Sequence, residues 1–400
     1  MSLLELNDLV YSESTDASVN IQRHLRKFYP RKTSFKPLEK IQIMVQGEQF
    51  LDMKNSSLRL TVVPNANITW GTGSALNLIS RCRIMSSSGQ EISDSRKNNL
   101  FQKQDNKLYQ SAEYNQFLAR SWGAVTQRNA TADENNTYVI PMKHVSPFFN
   151  NDQLLPPMVA KDLIIEIYLE SVKRVGAAAG LTDYDILDPV LIADCVLATS
   201  DITQAIDSMT KTGLIYEFCD VVHAETNSTA DRVDFVLPHS LSNALEGFVV
   251  SRDSVKANDV AEDNFVSLPI EEDETNDAYL DNKLVFRIGD IQLPQIEAVG
   301  GFEIYNMLLN ARGMLNNTEA KDFNMTVEDL LTGGYACYFV NLRRSKLFGN
   351  SGREVSNQRN LICQFRRQKD GAPTVSSVND FFVKYIGRIH IKNGIIDVER

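Results

Sequence analysis

Histidine, cysteine and clustered carboxylates are the side chains with which this sequence could do chemistry. The five histidines, His24, His144, His223, His239 and His390, include no HExxH pair that would hold zinc, and no GxSxG supplies a nucleophile elbow. His144 and His390 sit in strand-like stretches and read as packing or hydrogen-bonding residues. The cysteines, Cys82, Cys195, Cys219, Cys337 and Cys363, are odd in number and scattered through apolar runs, which suits buried free thiols better than a disulfide framework or a zinc site. "WGTGSALN" has Gly71 and Gly73 but no third glycine and no following Lys-Ser or Lys-Thr, so it lacks the parts of a phosphate loop. Asp and Glu total 51, so abundance alone would supply carboxylate pairs of the glycosidase kind, and no catalytic residue is assigned. Glu271, Glu272, Asp273, Glu274 and Asp277 crowd together, but their spacing is not that of an EF-hand, and their mutual repulsion makes a solvated loop. No cofactor or metal is expected.

One cluster has the opposite sign. Residues 21–40, "IQRHLRKFYPRKTSFKPLEK", carry seven basic side chains, among them Arg23, Arg26, Lys27, Arg31 and Lys32, against Glu39 alone. The preceding residues are polar and acidic, with Glu5, Asp8, Glu13 and Asp16. Residues 1–33 therefore read as an N-terminal arm. It is either a solvated charge run or a contact for something anionic: a membrane surface, nucleic acid or an acidic partner. A net charge of −10 argues against general nucleic-acid binding by the rest of the chain.

Length and composition bound what must position these residues. Four hundred residues exceed one ordinary core, and 43% apolar with 23% charged residues describes a globular chain. No apolar run approaches the ~20 residues that span a bilayer. The N-terminus lacks a basic n-region, so no secretory signal is expected, and the sequons at Asn55, Asn67, Asn129, Asn135, Asn227, Asn316 and Asn324 read as exposed loops.

The elements are short strands broken by Gly, Pro, Asn and Ser, the pattern of an all-β sandwich or barrel. In "VSPFFNNDQLLPPMVAKDLIIEIYLES", Leu163, Ile165, Ile167 and Leu169 alternate on one strand face, with Ile164, Glu166, Tyr168 and Glu170 on the other. The doubled Pro156 and Pro157 stop the preceding element and predict an extended approach to that strand. Residues 97–123 read as a helical insertion capping a barrel end. "SDITQAIDSMTKTG" reads as an amphipathic helix near the midpoint, ended by Gly213. Strands then resume, interrupted by "GGFEIYNMLLNARGML" and by "MTVEDLL", where Thr326 and Asp329 form a variant capping box. Each half reads as strands, a helical insertion and more strands, without a repeat of identities.

The stretches "VIPMKHVSPFFNNDQLLPPMVAKDLIIEIYLES", "LEGFVVSRDS", "LVFRIGDIQLPQIEAVGGFEIYNMLL" and "FFVKYIGRIHIKNGIIDVE", in this order, resemble the double jelly-roll major capsid proteins of the adenovirus-hexon and tectivirus lineage. The shorter versions in polinton-like viruses, virophages and related large DNA viruses are the most similar. The resemblance implies an all-β fold of two tandem eight-stranded jelly rolls, over 34–200 and 214–400, joined by a linking helix over 201–213. It implies homotrimeric, pseudo-hexameric capsomers that tile an icosahedral shell alongside penton or minor capsid proteins. The virion would form inside the host cell, in cytoplasm or nucleus. Outward Ile164 and Tyr168 are then expected at barrel-to-barrel contacts, the acidic loop at a barrel top, and the basic arm against a neighbouring capsomer, an inner membrane or packaged DNA. A carbohydrate-binding or adhesive β-sandwich is the alternative; an enzyme is not expected.

Overall fold

The computed structural model describes residues 22–47, 49–71, 74–111, 114, 119–123, 129–198, 200–230, 232–270, 283–312, 325–331, 334–343, 351–356, 359–366, 376–393 and 395–400. The acidic cluster at 271–277 and most of the N-terminal arm lie outside them.

The first half contains β1 (Gln22–Phe28), β2 (Ser34–Phe35), β3 (Lys40–Val45), β4 (Phe50–Pro64), β5 (Ile79–Met85), β6 (Glu91–Arg96), β7 (Asn136–Pro141), β8 (Leu163–Leu169) and β9 (Tyr184–Leu197). The second contains β10 (Leu214–Ser228), β11 (Arg232–Val236), β12 (Leu241–Asp253), β13 (Lys283–Ile288), β14 (Ile291–Val299), β15 (Tyr338–Asn341), β16 (Arg353–Val355), β17 (Leu361–Arg366), β18 (Ser377–Lys392) and β19 (Ile395–Glu399).

Four sheets result, in the orders β1-β9-β4-β7, β3-β8-β5-β6, β10-β18-β12-β15 and β11-β17-β13-β14. With the accessory β2, β16 and β19 set aside, each half has eight strands, and both halves follow one rule: first-eighth-third-sixth in one sheet, second-seventh-fourth-fifth in the other. Strands whose ranks sum to nine are always neighbours. That is a long antiparallel hairpin rolled up on itself, the jelly roll, and it occurs twice.

Local chemistry explains the sheets. In β8 the alternating Leu163, Ile165, Ile167 and Leu169 are buried, and Ile165 and Ile167 face Ile43 and Ile41 across the β3 ladder. A register slip of one residue would turn all four toward the outer face, so the burial pattern pins the pairing. The doubled proline acts differently from the sequence expectation. Pro156 is extended, but Pro157 occupies the first position of a helical turn, Pro157–Ala160, before β8 begins. Proline's fixed φ and missing N–H suit that position, where no intrahelical partner is needed.

Residues 22–33 were expected in the arm, yet residues 22–28 are β1, paired along their whole length with β9. β1 is the first strand of the first barrel. Its outer position and mostly exposed side chains explain why it reads as a charge run.

The linking helix, Ser200–Thr212, buries Ile206 against Phe50 and Val196. The insertion helix Asn98–Tyr109 does not cap a barrel end. Its Leu100, Phe101 and Leu108 belong to the second barrel's apolar core, although the helix follows the first barrel's fifth strand. In exchange, Leu214, Tyr216 and Phe218 of β10 and Ile389 and Ile391 of β18 pack into the first barrel's core. Among the described residues no helix is long and apolar enough to cross a membrane.

Candidate functional site

The seam between the barrels concentrates the polar chemistry of the molecule. Phe101 stacks on Phe248 at 5.8 Å and lies 5.7 Å from Phe382, two residues on the outer face of the β10-β18-β12-β15 sheet. Around this apolar contact the helix inserts charge. Lys103 donates to the carbonyls of Phe265 and Gly334, and Gln104 Nε2 donates to the Tyr335 carbonyl at 2.9 Å. Burial lowers Lys103 to about 7, so the carbonyls hold an ammonium that gives up its proton far more readily than an exposed lysine. Lys384 pairs with Asp105 and, at 3.0 Å, with Glu246, and its ammonium lies 3.8 Å from the centre of the Tyr109 ring. Lys107 reaches Asp329 at 3.0 Å. Lys384–Asp105 and Lys107–Asp329 join one barrel to the other, while Lys384–Glu246 lies within the second, so separating the barrels would leave largely buried charges without their cross-barrel partners, which costs several kcal/mol.

Asp220 lies deeper in the seam and is fully buried. Tyr385 donates to its Oδ2 at 3.2 Å, while Oδ1 makes no hydrogen bond. Burial pushes this carboxyl up to about 7, only partly offset by hydrogen bonds and the Arg400 charge.

Farther along β10 stands the one group among the described residues whose donor atoms are close enough to hold a metal: His223, Glu225 and Asp380, within 4.8 Å of one another. Both carboxylates already have cations. Arg252 reaches Asp380 at 2.7 Å, and Lys97 reaches Glu225 at 3.1 Å, while His223 lies 2.8 Å from Asp380. Burial alone would raise Asp380, but Arg252 and His223 outweigh it and hold the carboxyl well below its ordinary range. With its charges balanced in this way, the cluster is an ion-pair network fixing β10, β12 and β18, and it has no need of a cation.

The histidine and cysteine chemistry is likewise internal. His144 is buried, accepts or donates at 2.9 Å to the Tyr114 hydroxyl, and burial lowers it to about 3, so it is neutral. Cys82, Cys195, Cys337 and Cys363 are buried and Cys219 is half-buried. Burial raises Cys219 and Cys337 to about 12, which removes the thiolate needed of a nucleophile.

The sequence-selected surface residues are spread over two faces of the first barrel. Arg23 pairs with Asp52 at 3.1 Å and Asp194 at 3.2 Å, and Lys32 pairs with Glu39 at 2.6 Å. Arg26 lies over the Phe28 ring at 5.2 Å, and Lys27 and Arg31 are exposed. On the β3-β8-β5-β6 sheet Ile164 and Tyr168 are half-buried and point outward. Tyr168 donates to Glu166 at 2.9 Å and lies beneath Arg81 and Lys40. The structure does not bring the two groups together. The seam residues carry no local motif. The only sequence signal for them is the density of Asn, Gln, Lys and Asp on an apolar-poor helix between two strands.

No protein-family model matches the sequence, and no curated protein matches it. Solved structures do match in fold. VP54 of PBCV-1, fitted into a reconstruction of the virophage Sputnik, aligns with TM-score 0.67 at 10% identity over 98% of this chain and 99% of its own. The Faustovirus major capsid protein aligns with TM-score 0.67 at 8% identity, over 98% and 94%. The mavirus major capsid protein aligns with TM-score 0.50 at 10% identity, over 98% and 93%.

The chain is a double jelly roll.

The aligned share, 98% of this chain, takes in the strands of both barrels. The alternative of an adhesive β-sandwich finds no support in these likenesses.

Proposed function

We propose that this chain is a viral major capsid protein, a structural subunit whose homotrimers form pseudo-hexameric capsomers that tile an icosahedral shell. The observation that carries the reading is the pair of full eight-stranded jelly rolls in one chain, welded by a helix of the first barrel buried in the second. A rigid two-barrel unit repeated by a closed rotation gives a six-barrel ring, and such a ring fills a hexagonal lattice with one gene product. Its mechanism is burial of complementary barrel flanks, and no residue is assigned a catalytic role.

The finer assignments follow the same reading. Ile164 and Tyr168 meet a barrel of an adjoining capsomer. The N-terminal residues, with the exposed Arg31 and Lys32 at their root, reach a neighbouring capsomer or an anionic surface inside the shell, an inner membrane or packaged DNA. Penton or minor capsid proteins complete the lattice, and the virion assembles within the host cell.

The test is the mass of the full chain in solution by light scattering, with negative-stain images of the same peak. A mass near three chains with pseudo-hexagonal outlines is expected. A monomer across salt and pH would overturn the proposal.

A further inference from the structure

In the seam a lysine and two carboxylates meet in a nearly closed space. Lys384 of β18 stands opposite Glu246 of β12 in the ladder, both on the outer face of their sheet. The helix Asn98–Tyr109 carries Phe101, Asp105 and Tyr109 at i, i+4 and i+8, on the side that covers them. The Lys384 ammonium contacts Asp105 and lies 3.0 Å from Glu246, 3.8 Å from the centre of the Tyr109 ring and 5.6 Å from that of Phe101. The side chains of Lys384, Asp105 and Glu246 are 12%, 15% and 6% exposed. Lys36 also bridges two carboxylates, Asp183 and Asp185, but it is 49% exposed, where water solvates the charges.

An amine and a carboxyl held in productive contact react at effective concentrations on the order of 10⁵–10⁸ M. Burial favours the product: two ions are poorly solvated between the rings, an amide is neutral, and hydrolysing it would restore two buried charges. Burial alone would lower Lys384, but Asp105, the Tyr109 ring and Glu246 outweigh it and hold the side chain as an ammonium. Burial alone would raise Glu246, and Lys384 outweighs it and keeps that carboxylate ionised. The nitrogen lone pair is therefore free only after an adjacent base takes a proton. Glu246 is placed to be that base, while Asp105, the carboxylate in closer contact with Nζ, is placed to be attacked.

We propose that Lys384 and Asp105 condense to an isopeptide bond that ties the second barrel covalently to the helix of the first, with Glu246 relaying the protons. Lys384 Nζ passes one proton to Glu246 and attacks Asp105 Cγ, so that a C–N bond forms. The bond from Cγ to one carboxylate oxygen breaks, and that oxygen leaves as water with two of the three ammonium protons, one of them returned by Glu246. Ammonium and carboxylate together exceed the amide by one water, so no co-reactant is needed and Glu246 ends as it began. The step happens once per chain, as a self-modification after folding, and it stands whether or not the chain forms capsomers.

Mass spectrometry of the full wild-type chain, purified folded and then denatured, tests the bond without any variant having to fold. The intact mass is expected to fall short of the sequence mass by one water, and a tryptic digest should contain a branched peptide joining Asp105 to Lys384. Lys384→Arg keeps a cation for both carboxylates and should restore the full sequence mass. Glu246→Gln should slow formation of the branched peptide by about a hundredfold or more, the range of a lost acid–base group. A wild-type chain that stays at its full sequence mass after prolonged incubation at neutral pH would overturn the proposal. So would a branch from Lys384 to Glu246, or a missing water that persists in Lys384→Arg.

Discussion

Asp220 is the side chain at which the seam should respond to pH. Its folded-state pKa is raised from 3.8 to about 7 by burial, so the folded chain keeps a proton there that the unfolded chain releases. The stability contributed by this group is therefore full below about pH 4 and falls as pH rises toward 7. Asp380 works with the opposite sign: its depressed pKa favours the folded state above the unfolded carboxylate range, and that contribution is lost only in stronger acid. The two effects overlap little on the pH axis. Replacing Asp220 by Asn keeps an acceptor for Tyr385 and removes the charge, so Asp220→Asn should stabilise the chain at pH 8 by about 1–3 kcal/mol. At pH 4 it should change stability little. Urea denaturation at the two pH values measures this, and an equal effect at both would show that Asp220 is not buried as a neutral acid.

At the scale of elements, the boundary of the N-terminal arm has a direct consequence. β1 hydrogen-bonds to β9 over seven residues, and Phe28 at its end is buried. Deleting residues 1–21 should leave the melting temperature of the chain within a degree or two. Deleting 1–33 strips β1, exposes the edge of β9 and should lower the melting temperature by many degrees and promote aggregation, as unprotected strand edges do. Differential scanning fluorimetry of the two truncations separates the cases. The same element shows what could be read in advance. β8 was legible because one buried face imposes strict alternation, and the Thr326–Asp329 box was legible because capping is local: Thr326 N–H donates to Asp329 at 2.8 Å and Asp329 N–H donates back to Thr326 at 3.2 Å. β1 was not legible, because an edge strand with one partner can carry charges at nearly every position. The role of the helix Asn98–Tyr109 was also hidden. Its apolar residues face a surface built from strands more than a hundred residues later, and no local periodicity records that partner.

At the scale of the whole molecule, the exchange across the seam makes the two barrels one folding unit even though each has its own sandwich. The outer face of the second barrel's β10-β18-β12-β15 sheet carries Phe248, Phe382, Glu246 and Lys384, all covered by a helix of the first barrel. The first barrel's core in turn is closed by Tyr216, Phe218 and Ile389 from the second. Domains joined by an ordinary linker bury a modest, polar surface and often unfold separately. Here separation would expose aromatic rings and break the Lys384–Asp105 pair, leaving Asp105 without its cation, a penalty that independent folding of either half would have to overcome. The intact chain should therefore melt in a single calorimetric transition. Residues 1–213 and 214–400 expressed separately should each be poorly soluble and bind a hydrophobic dye, whereas co-expression should recover a soluble complex of the two. Two separately soluble halves with cooperative melts would mean that the seam is a contact between finished domains. A single transition restored only on co-expression would mean that each barrel completes the core of the other, so that the two-barrel chain folds as one rigid unit.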